Sequence, residues 1–370
     1  MSKNLSTIAL ALAGLLSSAC QDPAEDPNIE PYRAQLVVGN GLYTNGLYTN
    51  GLYTNGLYTN GLYTNGLYTN GTSISALLSD GSTASGITIT SITLNGLPLT
   101  DFSISASQLS AKIAGTSKTL SGTALKGLTI KAAIPDQGNG NQTKITYKID
   151  DVTLDLTSKF KDIWLYQISY KEDSATTWSS MCRDYSGNPA PLFPIAGSYW
   201  DEKTGARVDD SRAFMLACLE GAVAKCAVAG YRPWATGSVC TGSGRSKRCT
   251  DVSLKDYHQA CTRMLRADYC GDGTPHTVNG TLLDIFDYLN PPVQLQEEKW
   301  QIEARWTADG AICLSQRRHP EIPFPGCLRQ TDKSKPAAYV QLPKCSPYAS
   351  GSDRGLVVST FNSMATPPGK

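Results

Sequence analysis

The placement of cysteine is the feature that most constrains how this chain can fold. The 370 residues include eleven cysteines, and none lies between Cys20 and Cys182. Thiols at this density persist as disulfides in oxidising compartments, which predicts an exported protein. An odd number leaves one cysteine to explain. If Cys20 serves another purpose, ten remain for five disulfides: Cys182, Cys218, Cys226, Cys240, Cys249, Cys261, Cys270, Cys313, Cys327 and Cys345.

The first residues of the chain give Cys20 such a purpose. Lys3 precedes a small and apolar run over 5–16, which has the length of the hydrophobic part of a signal peptide and is too short to cross a bilayer. Small residues then lead to Cys20, although Ser17 stands where a lipoprotein signal usually has leucine. We therefore expect an exported lipoprotein of the outer membrane or cell surface, held to the membrane by acyl chains on Cys20. The alternative is ordinary cleavage near Ala19.

A repeat tract follows a spacer that is rich in Pro, Asp and Glu. Six tandem copies of Gly-Leu-Tyr-Thr-Asn cover residues 41–70. One interpretation is a flexible or extended stalk that lifts the body from the membrane. The other is a β-solenoid that resembles pentapeptide-repeat proteins, because a five-residue spacing of apolar residues continues to Phe102 and resumes from Leu120 to Ile130. A solenoid needs several stacked units, and six pentads supply few, which favours the stalk.

The middle of the chain carries strand signals. Residues 87–94 are rich in β-branched side chains and precede an Asn95-Gly96 pair, which is typical of a tight hairpin turn. Residues 144–150 alternate apolar and polar side chains, and 162–170 form a further strand candidate. The segment is therefore predicted to be rich in β-structure.

Two helices are predicted in the C-terminal half. The first would be capped by residues 209–211 and end near Gly230. The second would begin at a capping box that includes Ser253, run to about Cys270 and stop at Gly271.

A hairpin is predicted further on. Residues 300–306 would form its first strand, Asp309-Gly310 its turn and 311–314 its second strand. The tryptophans nearby have two interpretations. Aromatic residues at strand spacing belong more often to a core, but a sugar-stacking platform could also be formed by Trp200, Trp234, Trp300 and Trp306.

The second predicted helix carries a recognisable motif. The run from His258 to Thr277 contains Ala267-Asp268-Tyr269-Cys270, and it resembles the ADYC domain, which is found chiefly in exported proteins of myxobacteria and their relatives. Stretches around Cys218, Tyr231 and Trp306 fit the same pattern, so the resemblance covers about 160–320. It implies an exported domain and carries no activity with it.

These patterns together predict an α+β protein. A β-rich N-terminal half, solenoid-like if the repeats stack, would precede a disulfide-rich mixed α/β head. The predicted divisions are a lipoprotein signal peptide at 1–20, a spacer and repeat stalk at 21–71, a β-rich segment at 72–155, an ADYC-like disulfide-rich domain at 156–350 and a flexible tail at 351–370.

A cysteine nucleophile is one candidate for chemistry in the head. His258 and His276 flank Cys270 in sequence, and Asp268 or Asp272 could orient an imidazole. A helix C-terminus raises the pKa of a thiol, however, and an even set of cysteines leaves none free. We therefore expect Cys270 in a disulfide, and the enzymatic alternative is a small hydrolase built around Asp268 and His276.

Asp268 also raises a question of electrostatics. A carboxylate in the last turn of a helix opposes the helix dipole. We expect compensation from Arg263, Arg266 or nearby backbone N–H groups.

Composition disfavours several other functions. The chain has 33 basic and 32 acidic residues, whereas a nucleic-acid-binding protein needs a basic face. The cysteines lack the close pairs of zinc sites, and Asp268 with Asp272 lacks the acidic ladder of a calcium loop. No metal or cofactor is expected. The leading hypothesis is a non-enzymatic surface lipoprotein that binds a protein or glycan partner, with a carbohydrate-binding module as a further alternative.

Two disulfides are predicted individually. Cys240 and Cys249 flank a polar loop that a bond would close, and Cys327 with Cys345 would join a proline-rich tail. The other six cysteines would then pair among themselves.

Overall fold

The computed structural model describes residues 77–78, 88–135, 142–156, 160–184, 187–201, 204–277, 281, 283–296, 300–328 and 342–362. The strands are β1 (Leu77–Leu78), β2 (Thr88–Leu94), β3 (Leu97–Ser105), β4 (Gln108–Ile113), β5 (Thr119–Ser121), β6 (Thr129–Pro135), β7 (Gln142–Leu154), β8 (Trp164–Glu172), β9 (Ser179–Ser180), β10 (Leu192–Trp200), β11 (Arg207–Cys218), β12 (Thr236–Thr241), β13 (Arg248–Ser253), β14 (Asp284–Asp287), β15 (Gln301–Thr307), β16 (Gly310–Leu314) and β17 (Val357–Phe361). The helices are α1 (Ala222–Val228) and α2 (Lys255–Arg266).

A large antiparallel sheet contains the first eleven strands. Its order is β1-β11-β10-β8-β7-β6-β2-β3-β4-β5, and β9 pairs with the edge of β8 that β7 leaves open. On β7, Ile145, Tyr147 and Ile149 point into the core at two-residue spacing. A register shift follows Ile149, so that the next core residue is Val152, opposite Tyr166. The bulge thus keeps the apolar residues of a long strand on one face.

The strand predictions for this region are confirmed. Asn95 and Gly96 both have positive φ, at 50° and 80°, and form the turn between β2 and β3. The solenoid interpretation is wrong for 88–135, which form antiparallel pairs; Leu120 and Ile130 lie on β5 and β6. The repeats at 41–70 lie outside the described residues, as does Cys20.

The predicted first helix is wrong over most of its length. Residues 207–218 form β11, and only 222–228 are helical. Phe214 and Cys218 pack into one core on one face of β11, while Met215 and Ala217 pack into a second core that includes residues of α1. Because both faces are covered there, the end of the strand at 213–218 is an unbroken apolar run, which periodicity cannot distinguish from a buried helix.

A second, four-stranded sheet has the order β14-β17-β15-β16, and α2 packs against it. Its β15–β16 hairpin is confirmed. The prediction of a flexible tail over 351–370 is wrong for β17, which lies between β14 and β15 with all five residues buried. Its partners are far away in sequence, so the β-branched residues Val357, Val358 and Thr360 did not by themselves reveal a buried central strand.

The division predicted at 155/156 also does not separate two units. Strands β7 and β8 lie on either side of it and pair from Ile145–Glu172 to Leu154–Trp164. The β-rich segment and the start of the head therefore belong to one sheet.

Five disulfides staple the C-terminal part: Cys182–Cys218, Cys226–Cys261, Cys240–Cys249, Cys270–Cys327 and Cys313–Cys345. The Cys240–Cys249 pair is as predicted. The predicted Cys327–Cys345 bond is wrong, as is the prediction that the other six cysteines pair only among themselves. The backbone N–H of Leu314 bonds to Pro343 O, which brings Cys345 alongside Cys313 on β16 and leaves Cys327 for Cys270.

Candidate functional site

The turn that ends α2 is the best defined cluster of polar side chains among the candidates. We call residues 267–270 the α2 turn. Helix α2 ends at Arg266, earlier than predicted, because Ala267 adopts the left-handed conformation with φ 51°. The N–H group of Ala267 donates a hydrogen bond to the carbonyl oxygen of Met264, and that of Asp268 donates to the carbonyl oxygen of Arg263. This hydrogen-bond pattern is a Schellman cap, which satisfies carbonyls that the helix end would otherwise leave free.

The start of α2 also differs from prediction. The N-cap residue is Leu254, whose side chain cannot cap, and the predicted capping box is wrong. Ser253 Oγ instead accepts a hydrogen bond from the N–H of Lys255.

Asp268 is fully buried, and its hydrogen bonds join the α2 turn to the residues that follow it. Its carboxylate accepts hydrogen bonds from the backbone N–H groups of Asp272 and Gly273 at 3.1 and 3.0 Å, and it forms an ion pair with Arg263. These are the expected compensations for a negative charge at a helix C-terminus. Burial raises the pKa of the Asp268 carboxyl, and the charge of the Arg263 guanidinium opposes that rise.

Tyr269 joins the turn to a buried charged network. Its hydroxyl donates to Glu303 Oε1 at 2.7 Å, and the same oxygen accepts from Arg318 Nε at 2.6 Å. Ser359 Oγ donates to the other oxygen of Glu303, and the Trp306 ring stacks on Tyr269. The network therefore ties α2 to β15, β17 and the loop that carries Arg318.

The residue directly after the α2 turn, Gly271, has no room for a side chain. Cys270 is bonded to Cys327, and Gly271 has φ 66°. A Cβ atom on Gly271 would lie 1.8 Å from the carbonyl oxygen of Asp309, in the turn of the β15–β16 hairpin. The close approach of these two backbones therefore requires glycine.

The two histidines proposed for chemistry lie in different elements: His258 is on α2, and His276 is in the loop that follows it. His258 is fully buried, its Nε2 lies 2.8 Å from Val223 O, and its ring packs against Trp200. Burial lowers the pKa of His258 to about 3. His276 Nδ1 lies 3.2 Å from Ala267 O, and burial lowers its pKa too. Both rings are bound to backbone carbonyls, and Asp268 forms its hydrogen bonds with other groups.

Sequence reasoning missed a cluster around the third histidine. Thr281 Oγ1 lies 2.7 Å from His319 Nε2, and His319 Nδ1 lies 2.8 Å from Glu321 Oε1. The imidazole is mostly buried, whereas the Glu321 side chain is largely exposed. The run Arg317-Arg318-His319 is a concentration of polar groups that the sequence shows. The partner of His319, Thr281, and the partner of Arg318, Glu303, lie too far away in sequence to be inferred.

The alternative of a sugar-stacking platform is wrong for two of its tryptophans, and the favoured interpretation as core residues is confirmed for them. Trp200 and Trp306 are fully buried, and their Nε1 atoms donate to Gln259 and Ser359. Trp234 is half-buried and donates to Asp162. Two of the four rings therefore belong to the core.

Neither a metal site nor a membrane-spanning helix is found in the described part of the chain. No group of three or more His, Cys, Asp or Glu side chains there could hold a metal ion. No helix there is long and apolar enough to cross a membrane.

The fold and the α2 turn define a class of protein: an α+β domain of antiparallel sheets, closed by disulfides and suited to an oxidising, extracellular environment. Comparison identifies the family. A model of the ADYC domain matches residues 122–320, which is more than half of the chain, and the chain belongs to that family. The match begins before β6, within the segment that was predicted to be separate.

A second family model, the GLTT repeat, matches six copies at residues 49–72. No curated protein and no solved structure matches the chain.

Proposed function

We propose that the protein is exported, anchored to a membrane by a lipid on Cys20, and presents its C-terminal domain as an interaction module. The cysteine pairing carries this proposal. All ten cysteines of the described residues are joined in five disulfides. Cys20 is the eleventh, and it directly follows the small residues that end the predicted signal peptide. The repeats would separate the anchor from the domain.

The proposed role of the domain is to bind a protein or glycan partner. Asp268, His258 and His276 are side chains that could perform acid–base chemistry, yet their contacts hold the backbone around α2. An interaction module needs a rigid surface, and disulfides with a buried ion pair supply rigidity.

Mass analysis of the N-terminal peptide of the mature chain tests the anchor. We expect acylated Cys20, partition of the protein into a detergent phase, and no free thiol. The Cys20→Ala chain should move to the aqueous phase with its five disulfides intact. A mature chain that begins at Cys20 with a free thiol, or is cleaved elsewhere, would contradict the anchor. A free thiol at Cys270 would contradict the stapled domain.

Hydrolysis is a second candidate function, and the Thr281–His319–Glu321 cluster favours it. A hydroxyl, an imidazole and a carboxylate in this order match an arrangement in which a base activates a nucleophile. This cluster replaces Asp268 and His276 as the location of a hydrolase site. A fluorophosphonate probe should label the wild-type chain and fail to label Thr281→Val. If the probe labels neither protein, or both equally, this function is excluded for the cluster.

A further inference from the structure

The β12–β13 hairpin is an exposed ribbon with a fixed base. The strands pair from Thr236–Ser253 to Thr241–Arg248. At the base, Gly237 packs against Leu254 and Leu289, and the N–H of Asn290 donates to Ser238 O at 2.7 Å. All residues of 241–250 are exposed. The contacts that fix the ribbon on the rest of the domain are therefore at its base, and its end extends into solvent.

The Cys240–Cys249 disulfide has a different role from the other four. Its sequence separation is 9, whereas the others span 32 to 57 residues. A bond that closes a short loop removes the least entropy from the unfolded chain, so it stabilises the whole domain least. Its local effect is to keep the two strands together at the exposed end. Ordering a loop in advance lowers the entropic cost of binding.

The loop that this bond closes is basic and lacks both acidic and apolar side chains. Residues 241–248 read Thr-Gly-Ser-Gly-Arg-Ser-Lys-Arg, and we call them the basic tip. Arg245, Lys247 and Arg248 are exposed, and none of them forms an ion pair within the described residues. Elsewhere on the surface, Lys112 and Lys126 are paired with Asp101 and Asp151.

The charge of the tip is a local feature. The whole chain has 33 basic and 32 acidic residues, so it would have a small negative excess without these three cations. A partner recognised by the tip must therefore carry negative charge, and it needs no apolar pocket or groove.

We propose that the basic tip is a second membrane contact that binds the phosphate groups of anionic phospholipids. Arginine guanidinium groups bind phosphate through paired hydrogen bonds, and lysine adds a point charge. The choice of a membrane rests on the proposed function, because a lipid on Cys20 would hold the domain near such a surface. Tethering raises the effective concentration of the surface, which strengthens docking by the three cations.

Vesicle co-sedimentation of the mature chain without lipid, from Gln21 onward and with its disulfides formed, tests the tip independently of the anchor. We expect binding to vesicles of mixed phosphatidylglycerol and phosphatidylcholine and much weaker binding to phosphatidylcholine alone. Near an anionic membrane each cation favours binding roughly fivefold, so Arg245→Gln with Lys247→Gln and Arg248→Gln should weaken binding on the order of 100-fold. High salt should have a similar effect.

The matched control replaces Lys112, Lys118 and Lys126 with Gln, which removes the same charge from another part of the surface. We expect it to bind as the unmodified chain does. A Cys240→Ser, Cys249→Ser variant keeps the three cations and should bind several-fold more weakly, because its tip is no longer ordered in advance.

Equal binding to the two kinds of vesicle would overturn the inference, as would an equal loss in the control triple variant. These outcomes differ from failure of the anchor. An unacylated Cys20 would contradict the proposed function and leave vesicle binding by the tip unchanged, whereas absence of vesicle binding would leave acylation of Cys20 unaffected.

Discussion

Glu303 and Arg318 form an ion pair in which both side chains are completely buried, with 2.6 Å between Arg318 Nε and Glu303 Oε1. Removing two charges from water is costly, and their attraction offsets this cost only when further hydrogen bonds satisfy both groups. Here Tyr269 and Ser359 donate to the carboxylate, and the guanidinium donates to the carbonyls of Met264 and Leu265 near the end of α2. The pair thus joins the α2 turn to the second sheet.

Removal of one partner of this pair should be strongly destabilising. We expect Arg318→Met or Glu303→Gln to lower the free energy of unfolding by about 3–5 kcal/mol, because each leaves a buried group without its partner. The double variant should lose much less than the sum of the two. Denaturant unfolding of the three variants measures this. Additive losses would show that the two residues do not act as a pair.

The close approach at Gly271 predicts a large effect of a small substitution. Gly271→Ala places a Cβ atom against the Asp309 carbonyl oxygen, so the α2 turn and the hairpin must move apart. We expect a loss of about 3 kcal/mol or more, in the range of severe steric substitutions. Gly96→Ala is the control: Gly96 has φ 80° with open space around it, so only backbone strain of about 1–2 kcal/mol applies. Equal melting temperatures for the two variants would contradict this account.

His258 should make the protein sensitive to acid. Its pKa is about 3 in the folded protein and about 6.5 when unfolded, so between these values only the unfolded state binds the proton. The stabilising contribution of the neutral ring is complete above pH 6.5 and declines as pH falls toward 3, by up to about 1.4 kcal/mol per pH unit. His258→Gln should have a flatter stability curve than the wild type between pH 6 and 4. Parallel curves would contradict the prediction.

The disulfides should differ in their effect on stability. In the chain-entropy model, a loop of the size closed by Cys270–Cys327 contributes about 4 kcal/mol, whereas the short loop of Cys240–Cys249 contributes about 3 kcal/mol. Replacing the first pair with Ser should therefore lower the melting temperature more than replacing the second. Cys270 also belongs to the α2 turn, so loss of its bond to Cys327 should loosen that turn as well. A lower melting temperature for the variant without Cys240–Cys249 than for the variant without Cys270–Cys327 would show that the basic tip is coupled to the core.

The successful predictions share a short range in sequence. The Asn95-Gly96 turn, the β15–β16 hairpin and the Cys240–Cys249 bond each depend on residues that are close together along the chain. The compensation of Asp268 was predicted in kind, because Arg263 lies in the last turn of α2, only five residues before Asp268.

The failures involve partners that are distant in sequence. The end of β11 was assigned to a helix because both of its faces are apolar over 213–218, and only the two cores on either side explain that pattern. The tail at 351–370 contains the β-branched residues Val357, Val358 and Thr360, but the strands that bury β17, β14 and β15, are distant in sequence.

By itself, the sequence determined that the chain has an even set of ten cysteines after Cys20, a β-rich middle and the ADYC motif, because counts, turns and alternation are local properties. The tertiary structure alone decided how the cysteines other than Cys240 and Cys249 pair, and why the motif has its residues. Asp268, Tyr269 and Cys270 bond to Arg263, Glu303 and Cys327, and the last two partners are brought within reach only when α2 packs on the second sheet. Long-range pairing depends on how buried surfaces fit together, and a linear pattern does not contain that information.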